Sequence, residues 1–260
     1  PPTVTLGTNG GTYTITPGNS TASISTKITA ADTGGSGLST LKYQLSTSTS
    51  VPATSDGNWE TFTNGETITE AKSGGTYYLY TYVTDAAGNR ATSIQKSNPY
   101  TVNYQVVYNA NGGSGAPGAQ TKTHGVNLTL STTKPTRTGY TFLGWSTSST
   151  ATSATYQPGG AYSTNAATTL YAVWTKTKYT VTYNYAENGG TSATKTSASV
   201  EYQAAIDLTP TATKSGYVFV GWNKNKDATE GLSSLTMGTN DVTLYAIYKK
   251  TITATFNYYG

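Results

Sequence analysis

The chain of 260 residues has no cysteine, one histidine, one methionine and only 16 basic and 12 acidic side chains. Each shortage closes a class of chemistry. Without thiols there is no disulfide scaffold, no thiolate nucleophile and no cysteine-based metal site, although that lack alone assigns no redox compartment. With one imidazole, His124, a metal site would need two or more carboxylates around it, yet residues 105–174 contain no Asp or Glu. His124 is therefore expected to be a surface side chain in a turn, and no metal or cofactor site is expected. The same lack removes Ser-His-Asp catalysis from that stretch, because the orienting carboxylate is missing. No run of about 18 apolar residues is present, so no membrane insertion is expected. The 13 Leu, 8 Ile, 13 Val and 4 Phe fall short of the roughly 20 % below which disorder becomes a concern. A net charge of only +4 fails the other half of that criterion.

The missing apolar area is supplied by 22 Tyr and 4 Trp, which each bury roughly 150 to 250 Å² and keep a polar atom for a hydrogen bond. With 55 Thr besides, the chain is rich in residues that fit a pleated surface and poor in strong helix formers. The expected class is mostly β.

Self-comparison exposes a repeat. Val106-Val107-Tyr108-Asn109 returns as Val181-Thr182-Tyr183-Asn184, Thr138 to Trp145 returns as Ser215 to Trp222, and Leu170 to Trp174 returns as Leu244 to Tyr248. Residues 105–174 form one unit and 179–248 a second. Residues 249–260, with Ala254-Thr255-Phe256-Asn257, start a third copy, and the sequence opens on Pro1-Pro2-Thr3 rather than on a basic-then-apolar stretch, so a mature chain or a piece cut from a longer array is expected, the piece being favoured. Each unit is expected to run strand, Asn-Gly-Gly turn, short strand, irregular segment, aromatic strand and closing strand, Asn and Gly both tolerating positive φ. In the aromatic strand, alternation would place Tyr140 and Phe142 on one face and Leu143 and Trp145 on the other. Residues 1–104 show about seven short strand candidates, Thr3 to Leu6, Thr12 to Thr16, Ala22 to Ala30, Thr40 to Leu45, Trp59 to Phe62, Tyr77 to Thr84 and Ala91 to Gln95. That count suits an antiparallel sandwich, with the Tyr77 to Thr84 strand at its centre. All three modules are expected to fold independently.

The repeat motifs Tyr108 to Gly113, Thr136 to Trp145 and Thr169 to Trp174 resemble the Listeria-Bacteroides repeat, the B-repeat type of internalin-like surface proteins. The second unit departs from it at Tyr185-Ala186-Glu187 and at Tyr248. The resemblance implies β-grasp-like repeats with a short helical segment, in a bacterial extracellular protein attached to the cell wall through a part outside this chain. Spacing and adhesion are the roles it implies, with no catalysis. Residues 1–104 are similar to bacterial Ig-like modules through Ala31 to Gly37 and Val83 to Asn89.

Weighed one by one, the chemical candidates are few. Asp32 and Asp85 sit in Gly-rich loops where oxygen ligands could gather Ca²⁺, but turn capping accounts for both. Glu60, Glu66 and Glu70 would have to face each other across a cleft to act as a glycosidase pair, and a solvated face is the simpler reading. The Gly pairs lack the Gly-Lys-Ser/Thr of a phosphate loop, and no Lys/Arg face suggests nucleic acid. Charge is uneven: residues 105–174 carry Lys122, Lys134 and Arg137 and no acid, whereas 179–248 carry four basic and six acidic residues. Lys122, Lys134 and Arg137 are thus the candidate polyanion-binding residues, and host-surface glycans or proteins the candidate partners. The leading expectation is a non-catalytic stalk segment of a surface adhesin, monomeric within a longer array. The alternative is a glycan or glycosaminoglycan binding module.

Overall fold

In a computed structural model the chain is described at every residue except Thr92, Thr253 and 255–260. The described residues form strands and no helix. The start of a third copy therefore lies, from Thr255 on, outside the described residues, and Lys249 and Lys250 belong to the strand that closes the second repeat. Two compact units divide the chain. The first holds Pro1–Asn111, Gly115–Lys134 and Gly144–Val173; the second holds Gly112–Ser114, Pro135–Leu143 and Trp174–Gly260.

The first unit contains β1 (Thr3–Leu6), β2 (Gly11–Ile15), β3 (Ala22–Ala31), β4 (Leu38–Ser46), β5 (Glu60–Thr61), β6 (Thr67–Lys72), β7 (Gly75–Asp85), β8 (Gln95–Lys96), β9 (Tyr100–Asn109), β10 (Gln120–Lys122) and β11 (Leu128–Thr129). The strand β12 (Tyr140–Ser146) follows, then β13 (Ala161–Tyr162) and β14 (Thr168–Lys176). A three-stranded sheet β1-β3-β6 packs on a sheet in which β9, β7 and β4 lie side by side. Period-2 burial explains the pairing of faces. On β3, Ile24, Thr26, Ile28 and Ala30 are buried, and they meet Leu79 and Val83 of β7 and Tyr100, Val102 and Tyr104 of β9. The central β7 is also covered on its other face, where Tyr80 is buried.

One strand expectation for this region fails. Among the described residues of the Ala91 to Gln95 candidate only Gln95 is in a strand, at the start of β8. In its place β6 completes the three-stranded sheet, with Ile68 its one fully buried side chain and the rest turned to solvent or the rim.

The joint between the sandwich and the first repeat is a single strand. Up to Tyr104, β9 pairs with β2 in parallel (Gly11↔Tyr100 to Ile15↔Tyr104) and with β7 antiparallel. From Tyr104 onward it pairs with β10 (Lys122↔Tyr104, Gln120↔Val106) and with β14 in parallel (Thr168↔Val106 to Tyr171↔Asn109). The boundary placed after residue 104 therefore falls inside continuous strand, with no linker between the two modules.

In the second unit, β15 (Lys178–Asn184), β16 (Ser192–Ala193), β17 (Ser197–Glu201), β18 (Ala212–Thr213), β19 (Tyr217–Asn223) and β20 (Val242–Lys250) build the second repeat. Its main sheet has the order β17-β15-β20-β19, with β15 and β20 parallel at the centre and antiparallel strands outside them. Val181, Tyr183, Trp222, Met237, Leu244 and Ala246 form the core, and Trp222 Nε1 donates to Pro210 O at 2.6 Å. The short helical segment implied by the resemblance is not formed among the described residues.

Alternation along the aromatic strands also breaks. A β-bulge between Phe219 and Gly221 shifts the register by one residue, so Phe219 and Trp222 share a face, their rings 5.4 Å apart. Glycine is required there twice over. Gly144 and Gly221 have φ of 135° and 139°, and a Cβ would come within 2.6 Å of Tyr156 O in one repeat and 2.8 Å of Gly231 Cα in the other. The same φ accompanies a split in the first repeat, where Trp145 is fully buried while Leu143, expected beside it, is 36 % exposed.

Candidate binding surface and relatives

Of the three cations singled out by charge, one is not at the surface. Lys122 ends β10, opposite Tyr104, and is fully buried. Its ammonium donates to Thr123 O and Asn165 Oδ1, each at 2.8 Å, and burial without a carboxylate nearby holds its pKa below the usual lysine value. A side chain so enclosed cannot contact a polyanion, which corrects the expectation for Lys122. Lys134 is exposed in the first unit, and Arg137 is half-buried in the second.

Arg137 instead lines a cleft of about 590 Å³ within the second unit, with Gly112, Gly113, Thr138, Tyr140, Phe142 and Trp174 among its walls. Its guanidinium lies 3.8 Å from the centroid of the Tyr140 ring, and Phe142 meets Trp174 edge-on at 5.5 Å. A pinned cation beside half-buried aromatic rings can stack on a sugar ring and pair with an anionic substituent. In the second repeat the same positions carry Lys214, 4.1 Å from the Tyr217 centroid, and Tyr248. Lys214 there donates to Asn188 O at 2.7 Å, and it lines a separate cleft of about 300 Å³ with Lys226, Asp227 and Tyr248.

Among the acids, the fold unites two that the sequence kept apart. The Tyr43 hydroxyl lies 2.9 Å from Glu60 Oε2 and 2.8 Å from Glu70 Oε1. Burial, and then those two carboxylates, push its pKa far above the ordinary tyrosine value. Glu70 also pairs with Lys72 at 3.3 Å, while Glu66 accepts from Thr63 N at the adjacent turn. The sequence had offered Glu60 and Glu70 only as a glycosidase pair, and Tyr43 went unmarked because the three come from β5, β6 and β4. Asp32 accepts from the N–H groups of Gly34 and Gly37, and Asp85 from the backbone and side chain of Asn89. Those bonds, the Gly34 bond first for Asp32 and the Asn89 side chain first for Asp85, hold both carboxyls below the usual range, as turn caps do.

The Asn-Gly-Gly turns have a second duty that turn chemistry does not announce. Asn111 takes φ of 48°, as the turn requires, and its amide also donates to Ser149 O and Ala172 O. Asn188 repeats the clamp on Lys226 O and Ala246 O, both at 2.9 Å. Each fastens a loop to the closing strand.

The profile of the Listeria-Bacteroides repeat domain matches residues 104–173 and 179–247, more than half of the chain. The chain belongs to the Listeria-Bacteroides repeat family. The first matched residue is Tyr104, the point at which β9 passes from one set of partners to the other. Two proteins of Evansella cellulosilytica are similar to it. One, provisionally named a Gly-rich membrane protein, is 34 % identical over 123 residues, 42 % of this chain and 14 % of that relative. The other, provisionally named a membrane protein, is 30 % identical over 154 residues, 57 % of this chain and 22 % of its own length. The chain thus spans less than a quarter of either relative. No solved structure matches it. No helix among the described residues is long and apolar enough to cross a membrane.

Proposed function

We propose that this segment is a non-catalytic stalk or spacer of a bacterial surface adhesin, carrying an Ig-like module and two repeats. The observation that supports the reading is strand β9, whose ten residues serve the sandwich up to Tyr104 and the repeat from Tyr104 onward. A joint made of one hydrogen-bonded strand resists bending better than a flexible linker, as a spacer needs. Tyr104 reinforces it. Its ring belongs to the sandwich core, and its hydroxyl is hydrogen-bonded to His124 Nδ1 of the repeat at 2.8 Å. The Ig-like reading of 1–104 is supported by the β1-β3-β6 sheet facing β9-β7-β4, with β2 added in parallel beside β9. Surface association accords with the membrane-protein names of the two relatives.

The test is thermal unfolding of the whole chain with two glycines inserted between Tyr104 and Gln105. In the unmodified chain the sandwich and the first repeat should melt together, and the insertion should split that transition in two. An unchanged melting profile would mean that the shared strand couples nothing. The Arg137, Tyr140 and Trp174 cleft favours a second reading, glycan binding. A glycan array read at low and physiological salt separates the two, since an ionic contact weakens as the Debye length falls to about 8 Å. A salt-sensitive hit lost in Arg137→Gln would make the segment a binding module.

A further inference from the structure

The residue two places beyond the one that faces each repeat's first-strand tyrosine reaches back to the preceding module. Lys122 faces Tyr104 and Val200 faces Tyr179, so His124 and Tyr202 are equivalent. His124 bonds to Tyr104, as described. Tyr202 lies flat on Gly139 of the first repeat, where a Cβ would stand 2.2 Å from its ring, and meets Tyr140 edge-on at 5.9 Å. Two backbone bonds frame this lid: Thr177 N–H to Gly139 O at 3.0 Å and Tyr202 N–H to Thr177 O at 2.9 Å.

Among the described residues, the second repeat carries the same seat without a lid. Gly216 has φ of 76°, identical to Gly139; Thr251 N–H donates to Gly216 O at 3.0 Å as Thr177 does to Gly139; and Lys214 covers Tyr217 as Arg137 covers Tyr140. Gly139 is buried, whereas Gly216 is exposed and a Cβ there would meet nothing within 4 Å. Beside it Tyr217 is 37 % and Val218 56 % exposed. We propose that the Gly216 to Val218 face is the docking seat for a further repeat of the same type, whose edge strand ends in a ring that closes over Gly216. The occupant follows from continuity with the seat already filled: the backbone, the threonine bond and the cation on tyrosine are reproduced, and the one missing part is the part a following repeat supplies. This deepens the stalk reading and rests on it.

The experiment measures tyrosine nitration by tetranitromethane, residue by residue, in two proteins: the full chain, and the full chain with a second copy of 178–251 inserted after Thr251. Nitration of Tyr217 should fall several-fold in the extended chain and recover when the inserted copy's equivalent of Tyr202 is replaced by Ala. Circular dichroism and the emission of the added tryptophan report whether the copy has folded. A folded copy with undiminished Tyr217 nitration overturns the proposal. So does concentration-dependent protection of Tyr217 in the unextended chain, which would make the occupant a second copy of the molecule. Should the copy fail to fold, the filled seat decides: Tyr202→Ala in the 260-residue chain should raise Tyr140 nitration several-fold, and no rise refutes the lid. None of these readouts depends on glycan binding or on melting, so the docking seat and the spacer role fail separately.

Discussion

Opposite the first-strand tyrosine, one repeat carries Lys122 and the other Val200. Around that difference the two interiors are superposable in kind. Tyr108 meets Trp145 at 4.9 Å and Tyr183 meets Trp222 at 5.1 Å, both edge-on. Each tryptophan follows a glycine of positive φ, and each loop asparagine clamps the closing strand. The changes fall at the margins: Lys122 for Val200, Arg137 for Lys214, Trp174 for Tyr248. Interiors at crystal-like packing density tolerate little change in volume, so the tyrosine, tryptophan and glycine set is held. Margins can trade an aliphatic stem for a lysine stem, provided the head group finds partners. Asn165 supplies one for Lys122.

The largest effect that would break this comparison is loss of the buried indole. Trp145→Ala and Trp222→Ala should each cost about 3 to 5 kcal/mol, read as a drop in the denaturant midpoint of the repeat concerned. Near-equal costs are expected, since both side chains are fully buried against an equivalent tyrosine. A midpoint unmoved by Trp145→Ala would turn attention to the indole as a ligand platform.

How much of this was legible depended on the range of the forces involved. The repeat, the turns and most strands were local pattern. The continuity of β9 was legible too, because Tyr100, Val102, Tyr104, Val106 and Tyr108 alternate without a break and are all buried; dividing the chain where the repeat motif begins hid it. The strand β6 was hidden by Glu66 just before it and by Glu70 and Lys72 within it, around one buried isoleucine. The close approach of Tyr156 O to Gly144 comes from twelve residues on, and strict alternation cannot anticipate it. Lys122 was misjudged by its charge. What encloses it is a partner 43 residues away in sequence.

Lys122 gives the intermediate effect. Lys122→Met keeps the stem volume and removes a buried cation that has carbonyl partners and no carboxylate. At neutral pH the variant should be between equally stable and about 1 kcal/mol more stable, as buried charges replaced by apolar groups commonly are. The sign with pH follows from linkage. Burial lowers the folded pKa below the ordinary 10.5, so between the two values the unfolded chain binds more protons and stability rises with pH. The variant's advantage should therefore shrink as pH climbs toward 10.5, while the raised tyrosine pKa values act on both proteins and cancel. Urea midpoints at pH 7, 8.5 and 10 provide the check. A gap that stays constant would show that the ammonium is not what distinguishes Lys122 from Val200.

The smallest effect concerns the cations that cap Tyr140 and Tyr217. A cation over a partly exposed ring contributes about 0.5 to 1 kcal/mol, so double-mutant cycles pairing Arg137→Gln with Tyr140→Leu, and Lys214→Gln with Tyr217→Leu, should each return a coupling of about that size. Lys214→Gln also removes the 2.7 Å bond to Asn188 O, which for a charged donor is worth about 1.5 to 3 kcal/mol when well sheltered and less at a half-exposed site such as this. A cost for Lys214→Gln no larger than its coupling to Tyr217 would mean that the Asn188 bond contributes nothing. A cost for Arg137→Gln well above the coupling would instead show that its remaining contacts tie the cleft wall together.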